Sequence, residues 1–145
     1  MNAWERQQAL ARTTTVWALA SVAVGGASAT RRDGWWRAFG QQNLGWGAAN
    51  LVIVGVLEVV RSRRRSRLPN PDAPTVLERE QRLLRKALWV NVAADTGYVL
   101  GGVVLWCQPR DTASGAGLAI AVQGAFLLLH DGYHALECNR SGSSG

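Results

Sequence analysis

The sequence predicts an all-α protein, a polytopic transmembrane four-helix bundle. Only 18% of the 145 residues are charged, 48% are hydrophobic, and the charges are segregated rather than dispersed. Four stretches of about twenty residues are almost free of charge. They lie between Arg12 and Arg31, Arg37 and Glu58, Lys86 and Arg110, and Asp111 and Asp131. Because about 20 apolar helical residues cross a hydrocarbon core of about 30 Å, we expect spans near 12–30, 36–60, 86–108 and 112–136, in one domain of residues 1–140.

Two other interpretations of the apolar stretches compete with this one. A soluble bundle would need charged residues at regular helical intervals on its outer faces, and the four stretches lack them. The first stretch also resembles a secretory signal peptide, with Arg6 and Arg12 before an apolar run and small residues at 27–29. We interpret it as the first span. Residues 141–145 resemble an artificial linker and are excluded from the fold.

The basic residues predict an orientation, since Lys and Arg accumulate in short cytoplasmic loops. With four spans, twelve of the sixteen lie on the side of the termini and of the middle loop, and four lie on the other side. We therefore expect a multi-pass protein of the cell membrane with both termini in the cytoplasm. The net charge of +6 then requires no nucleic-acid partner.

The basic run at 61–67 has two interpretations. It serves as a topology determinant at the end of the second span, or it recognises anionic lipid headgroups or another acidic partner. Residues 68–74 contain three Pro, one Asn and one Asp and predict a turn. Thr75 is expected to cap the helix that follows, with Glu78 at the capping-box position.

A weak internal repeat predicts two tandem helical hairpins. Gly25-Gly26 recurs as Gly101-Gly102 and Gly47-Ala48 as Gly124-Ala125, and the Arg-Asp pair at 32–33 recurs at 110–111, at offsets between 76 and 78 residues. Hairpins that both start in the cytoplasm would be related by an axis along the membrane normal, as in transporters built from parallel repeats.

One face of the predicted third span is polar, because four residues follow the helical period: Asn91, Asp95, Tyr98 and Gly102. A carboxylate in hydrocarbon costs roughly 2.5 to 3.5 kcal/mol on insertion scales, so Asp95 should face protein or water. Counted at about 1.5 Å per residue, Asn50, Tyr98 and Gln123 lie at the same depth as Asp95. A second layer about 9 Å nearer the cytoplasm contains Asn91, His130 and Asp131.

These polar residues suggest a site as well as a packing role. Amides and Tyr hydrogen-bond between transmembrane helices for roughly 0.6 to 2 kcal/mol each, which alone could explain Asn43, Asn50 and Gln123. Packing does not require the carboxylates. The expected catalytic residues are Asp95, Asp131 and His130. The expected substrate-binding residues are Asn43, Trp46, Asn50, Asn91, Tyr98, Gln123 and Phe126.

No cofactor or metal is predicted. His130 and His134 are four residues apart, a spacing that can place two imidazoles on one metal, with Glu137 three residues further on. The pattern lacks the other residues of a known metal motif. Gly-rich phosphate loops, a nucleophile elbow and a CxxC pair are also absent from the sequence.

Three segments carry a family resemblance. Residues 39–50 fit F-x-x-x-N-x-x-W-x-x-x-N, residues 91–98 fit N-x-x-x-D-x-G-Y, and residues 123–131 fit Q-G-x-F-L-x-x-x-D. The chain thereby resembles a group of small, uncharacterised, four-span bacterial membrane proteins. The resemblance implies no activity. It selects Asn43, Trp46, Asn50, Asn91, Asp95, Tyr98, Gln123 and Asp131, and neither of the two histidines.

Three functions remain open at this point. The first is a membrane-embedded acid–base enzyme of the cyclase or isomerase type, acting on a lipid or isoprenoid-like substrate, with one carboxyl held protonated as the general acid. The second is a small proton- or ion-coupled transporter that works as a homodimer. The third is an accessory subunit without catalysis. The expected partners are membrane lipids and a small apolar ligand.

Overall fold

The computed structural model describes residues 1–142, and these form four long helices. They are α1 (Ala3–Ala29), α2 (Gly34–Arg67), α3 (Pro74–Trp106) and α4 (Asp111–Gly142). The predicted all-α bundle is confirmed. The side chains of residues 141–145 lie outside the described part of the chain, so their interpretation as a linker stays a prediction.

Local sequence explains where the first three helices begin. Asn2 caps α1 by accepting from the Glu5 amide, and the Glu5 carboxylate accepts in return from the Asn2 amide. Asp33 caps α2 by accepting from the Trp36 amide at 3.0 Å. The expected cap at Thr75 is wrong, because α3 already begins at Pro74 and has no side-chain cap. Proline fits the first helical position, where no amide donor is needed.

Three of the four helices are long enough and apolar enough to cross a membrane, namely α2, α3 and α4. The first helix is not among them, since Thr, Ser and Gly lower the hydropathy of its apolar half. Many large apolar side chains point away from the bundle; Val52, Val90 and Leu129 are 67%, 69% and 74% exposed. An apolar outer surface of this kind suits a lipid environment. The expectation of four spans stays a prediction.

The two hairpins repeat each other with one constant offset. In the first hairpin α1 ends at Ala29, and in the second hairpin α3 ends at Trp106, 77 residues later. The returning helices begin at Gly34 and Asp111, again 77 residues apart. Within each hairpin the helices pack closely, and between the hairpins α2 packs on α4. The structure therefore has the two tandem hairpins that the sequence suggested.

Glycine contacts show that the hairpins also pack alike. A Cβ on Gly40 would collide with the backbone at Ala29, Ser28 and Gly25. A Cβ on Gly117 would collide with the backbone at the three positions 77 residues later: Trp106, Leu105 and Gly102. Only residues without a side chain allow the two backbones to approach this closely.

The hairpins meet differently at the two ends of the bundle. Near the helix connections at 30–33 and 107–110, the Trp35 indole donates to Ser114 Oγ at 3.2 Å, which joins α2 to α4. At the opposite end, Leu10 of α1 packs against the cluster around Leu88 of α3. There the Trp4 indole also donates to the Pro71 carbonyl at 3.0 Å, so the start of α1 lies beside the loop that joins the hairpins. We call this end of the bundle, which contains Trp4, Pro71 and Leu88, the basic end.

Candidate functional site

A buried amide network joins the two hairpins in the middle of the bundle. Gln123 of α4 is 1% exposed. Its Oε1 accepts from the Trp17 indole at 2.7 Å, and its Nε2 donates to Ser21 Oγ and to Asn43 Oδ1, each at 2.8 Å. Asn43 in turn donates to the Phe39 carbonyl one turn earlier. Every strong hydrogen-bonding atom of Gln123 thus has a partner, as a polar group in an apolar interior requires.

A carboxylate and an imidazole form a pair nearer the basic end. Asp131 Oδ1 lies 2.9 Å from His130 Nδ1, and Asp131 Oδ2 accepts from Asn91 Nδ2 at 2.8 Å. Both side chains of the pair are about nine-tenths buried, with 8% and 10% of their surface exposed. An ionised carboxylate only accepts hydrogen bonds, which assigns the proton of the neutral imidazole to Nδ1. His130 Nε2 is buried and has no hydrogen-bond partner among the described residues.

Aromatic rings line one side of this pair. The Phe126 ring stacks on His130 with centroids 5.6 Å apart, and Trp17 stacks on Phe126 at 4.0 Å. Trp17 lies in the middle of α1 and was not among the predicted site residues. Its indole hydrogen bond to Gln123 and its contact with Phe126 connect the amide network to the acid–base pair.

Asp95 is buried close to this pair but is not bonded to it. The side chain is 4% exposed, and Oδ2 has no hydrogen-bond partner in the described part of the chain. Asp131 and His130 lie near enough for their charges to act on Asp95. Asn50 of α2 is 7% exposed, and its Nδ2 is likewise buried without a partner. An unsatisfied polar group costs free energy in an apolar interior, so these two residues are candidates for a binding or protonation role.

The remaining predicted residues lie at the edge of the site. Tyr98 is 41% exposed and contacts Trp46 edge-to-face, with centroids 4.9 Å apart. Asn91 is exposed although it is bonded to Asp131. The polar face of α3 is therefore only half covered, with Asp95 and Gly102 inside and Asn91 and Tyr98 at the surface. Gln123 bonds to Asn43 and α1 rather than to Asn50 and Asp95, which were expected at its depth.

Two residues outside the predicted catalytic and substrate-binding sets extend the site toward the basic end. The His134 ring contacts His130 edge-to-face at 5.0 Å. Arg6 of α1 is 5% exposed and lies within electrostatic range of His134 and of buried Cys138. No sequence signal identifies Arg6, because a basic residue before a span is ordinary. Within the described residues, no three of His, Cys, Asp and Glu converge on a common metal position.

The fold and the site together define a membrane-type helical protein with a buried carboxylate–imidazole pair. The chain belongs to a family of unknown function, DUF6992, whose model matches residues 13–132. The matched region contains the amide network, Asp95 and the His130–Asp131 pair, and it excludes Arg6 and His134. No curated protein and no solved structure matches the chain significantly. The expected membership in an uncharacterised family is confirmed, while its bacterial origin and its sequence motifs stay predictions.

Proposed function

We propose that this protein is a membrane-embedded acid–base enzyme that moves protons on a lipid or isoprenoid-like substrate. One observation carries the proposal: His130 Nδ1 is held by Asp131, whereas Nε2 is buried and unpartnered. A carboxylate that holds one nitrogen of an imidazole fixes its tautomer and leaves the other nitrogen available for proton transfer.

In this mechanism, His130 Nε2 accepts a proton from a carbon of the substrate. Asp131 stabilises the resulting imidazolium, and Asn91 holds Asp131 in position through its second oxygen. Asp95, in its protonated form, donates a proton to another carbon of the substrate. Removal of a proton from one carbon and addition of a proton to another shift a double bond and leave the composition of the substrate unchanged. This reaction is an isomerisation. Protonation by Asp95, ring closure and loss of a proton from the resulting cation to His130 would give a cyclisation.

The surroundings suit an apolar substrate. Phe126 and Trp17 place aromatic faces beside the pair, and such faces stabilise cationic intermediates. Asn91 and Tyr98 reach the outer surface of α3 between exposed apolar residues such as Val90 and Leu100. A substrate dissolved in the bilayer would reach the site laterally, past these two side chains.

Deuterium incorporation tests the proposal on a mixture of candidate lipids. The full-length protein is reconstituted with a membrane lipid extract supplemented with isoprenoids in D2O, and the lipids are analysed by mass spectrometry. We expect one lipid class to gain carbon-bound deuterium. The Asp95→Asn variant should reduce the incorporation rate at least a hundredfold, because loss of a positioned general acid or base typically costs 10²- to 10⁴-fold.

A matched control removes a carboxylate elsewhere. Asp72→Asn changes an exposed residue that pairs with Arg65, and it should leave incorporation unchanged. Equal rates in wild-type and Asp95→Asn protein would remove Asp95 from the mechanism. Absence of incorporation into any lipid would reject the enzyme.

The membrane topology belongs to the same proposal. We place the protein in the cell membrane with four spans, α1 included, and with the basic end in the cytoplasm. The contact between Trp4 and Pro71 supports this placement, since it gathers the start of α1 and the basic middle loop at one end. Cysteine labelling from either side of sealed vesicles would check the orientation.

A proton-coupled carrier working as a homodimer is the second candidate. His134 favours it, since its contact with His130 continues the polar path from the pair toward the basic end. Proteoliposomes that contain a pH-sensitive dye would report proton flux. A flux that disappears in Asp95→Asn would favour the carrier, and a strictly monomeric particle would count against it.

A further inference from the structure

A cavity lined by arginines lies at the basic end of the bundle, outside the acid–base site. It has a volume of about 300 Å³ and lies between the last turns of α2 and the first turns of α3. Its lining residues are Arg64, Arg67, Leu68, Val76, Arg79 and Glu80. Three guanidinium groups and one carboxylate leave two uncompensated positive charges in the lining.

The only carboxylate of the cavity is already engaged. Glu80 is 3% exposed and pairs with Arg64 at 2.5 Å. This pair links the last turns of α2 to the first turns of α3 through their side chains and holds the Arg64 side chain in place. Arg67 and Arg79 form no hydrogen bond or ion pair with any residue of the described chain. The cavity therefore offers two free guanidinium groups beside a fixed third one.

A neighbouring groove on α2 differs from this cavity in the pairing of its arginines. It has a volume of about 380 Å³ and is lined by Arg61, Ser62, Arg65 and Ser66. Both of its arginines are paired inside the protein, Arg61 with Glu58 and Arg65 with Asp72. Of these two sites, the cavity between α2 and α3 is the one that keeps unpaired donors for an outside anion.

The position of the cavity along α2 indicates the source of that anion. Val59 and Val60 are 50% and 46% exposed and end the apolar surface of the helix. At about 1.5 Å per residue, Arg64 and Arg67 lie about 6 and 10 Å beyond Val60. The headgroup layer extends about 5 to 8 Å outside the hydrocarbon core, so Arg64 lies within this layer and Arg67 lies just beyond its outer edge, within reach of a long side chain. Leu68 and Val76 add an apolar wall that suits the glycerol end of a lipid.

We propose that this cavity binds the phosphate headgroup of an anionic phospholipid through Arg64, Arg67 and Arg79. Arginine suits the role because its planar fork donates two hydrogen bonds to phosphate oxygens. The first turn of α3 has no side-chain cap, and the positive end of its dipole adds to the attraction. The site is independent of the acid–base chemistry and does not rest on it.

Binding of short-chain lipids to the purified full-length protein tests the site. Dioctanoyl phosphatidylglycerol, dioctanoyl phosphatidylcholine and inorganic phosphate are titrated separately, and native mass spectrometry measures occupancy. We expect the wild type to prefer phosphatidylglycerol over the other two probes. The double variant Arg67→Gln/Arg79→Gln should bind it about thirtyfold more weakly, because two contacts to the anionic headgroup are lost.

The control carries the same change of charge outside the cavity. Arg63 and Arg82 are exposed residues of the same two helices, and neither lines the cavity. Arg63→Gln/Arg82→Gln should retain wild-type affinity. Equal weakening by both double variants would overturn the site in favour of general surface charge. Equal binding of inorganic phosphate or phosphatidylcholine would overturn the assignment to an anionic lipid. Retained thermal unfolding temperatures verify that both variants are folded.

Discussion

The two hairpins have the same framework and different polar content. Positions that contain Asn91, Asp95, His130 and Asp131 in the second hairpin contain Thr14, Ala18, Ile53 and Val54 in the first, each 77 residues earlier. Ala18 is fully buried in its place, so this packing position accepts a methyl group as well as a carboxylate. The framework therefore does not require the acid–base residues. This difference supports a chemical role for them.

The contacts between the hairpins also combine equivalent positions with different chemistry. Ser21 bonds to Gln123 on one side of the molecule, and Tyr98 contacts Trp46 on the other. Ser21 and Tyr98 occupy equivalent positions, as do Trp46 and Gln123. One geometry is thus filled by hydrogen bonds in one place and by aromatic packing in the other. The repeat fixes where residues meet but not which chemistry they use.

The largest effect is expected from replacing the imidazole of the second hairpin. His130→Phe retains a ring that can stack on Phe126 but removes the acid–base nitrogen. Deuterium incorporation into lipid should fall by roughly 10²- to 10⁴-fold. The equivalent change in the first hairpin, Ile53→Phe, affects an exposed residue and should leave the rate unchanged. Similar losses in both variants would mean that the hairpins do not differ in function.

The next effect concerns the shared framework and should be the same in both hairpins. Gly40→Ala and Gly117→Ala each place a methyl group against a neighbouring backbone that cannot move aside. Overpacking typically costs about 1 to 3 kcal/mol of stability, and contact with backbone places these two variants at the upper end of that range. Unfolding in detergent micelles, followed by circular dichroism, should show a similar loss for both variants.

Other glycines provide matched controls for this prediction. Gly26 and Gly101 have open space around the Cβ position. Their replacement by Ala should be neutral or stabilising by up to about 1 kcal/mol, because Ala favours the helix. A large loss in one hairpin alone would break the structural equivalence of the two repeats.

The sequence was sufficient for the framework because charge segregation and helix termini are local signals. It also selected His130 and Asp131, which the structure brings into hydrogen-bond contact, while their catalytic role stays a prediction. The repeat was recognised with offsets of 76 to 78 residues, and the helix bounds together with the backbone contacts of Gly40 and Gly117 fixed one offset of 77. Sequence spacing alone cannot decide which of two adjacent glycines contacts the neighbouring helix.

The partners of the polar residues could not be predicted. A helical period places Asn91, Asp95 and Tyr98 on one face, but which neighbouring helix covers that face depends on the angle between helices. Ser21 was missed because a serine among small residues gives no signal of a buried contact. Depth counting placed Gln123 beside Asp95, whereas the packing of α4 against the first hairpin brings it to Asn43 and α1.

A smaller effect is expected from the amide network between the hairpins. Gln123→Leu removes three hydrogen bonds and leaves Trp17, Ser21 and Asn43 each short of a partner. The expected loss of stability is about 2 to 3 kcal/mol. Val122→Ala, at an exposed position beside it, should cost less than about 1 kcal/mol. Unfolding that is equally sensitive to both variants would show that the network does not hold the hairpins together.

The smallest effect distinguishes the starts of the two returning helices. Asp33 caps α2 with its carboxylate, whereas Arg110 occupies the equivalent position before α4, and its side chain carries only donors. Asp33→Ala should cost about 1 kcal/mol, and Arg110→Ala should be neutral. Thermal unfolding temperatures of the two variants provide the measurement. A neutral Asp33→Ala would show that the cap contributes nothing to stability in the membrane.

The six residues that connect Arg67 to Pro74 lie between two units that each complete their own helix–helix contact. A gene cut in this linker would encode two separate polypeptides, and co-expression should let them find each other in the bilayer. The present chain then resembles a tethered dimer of two unequal two-helix subunits.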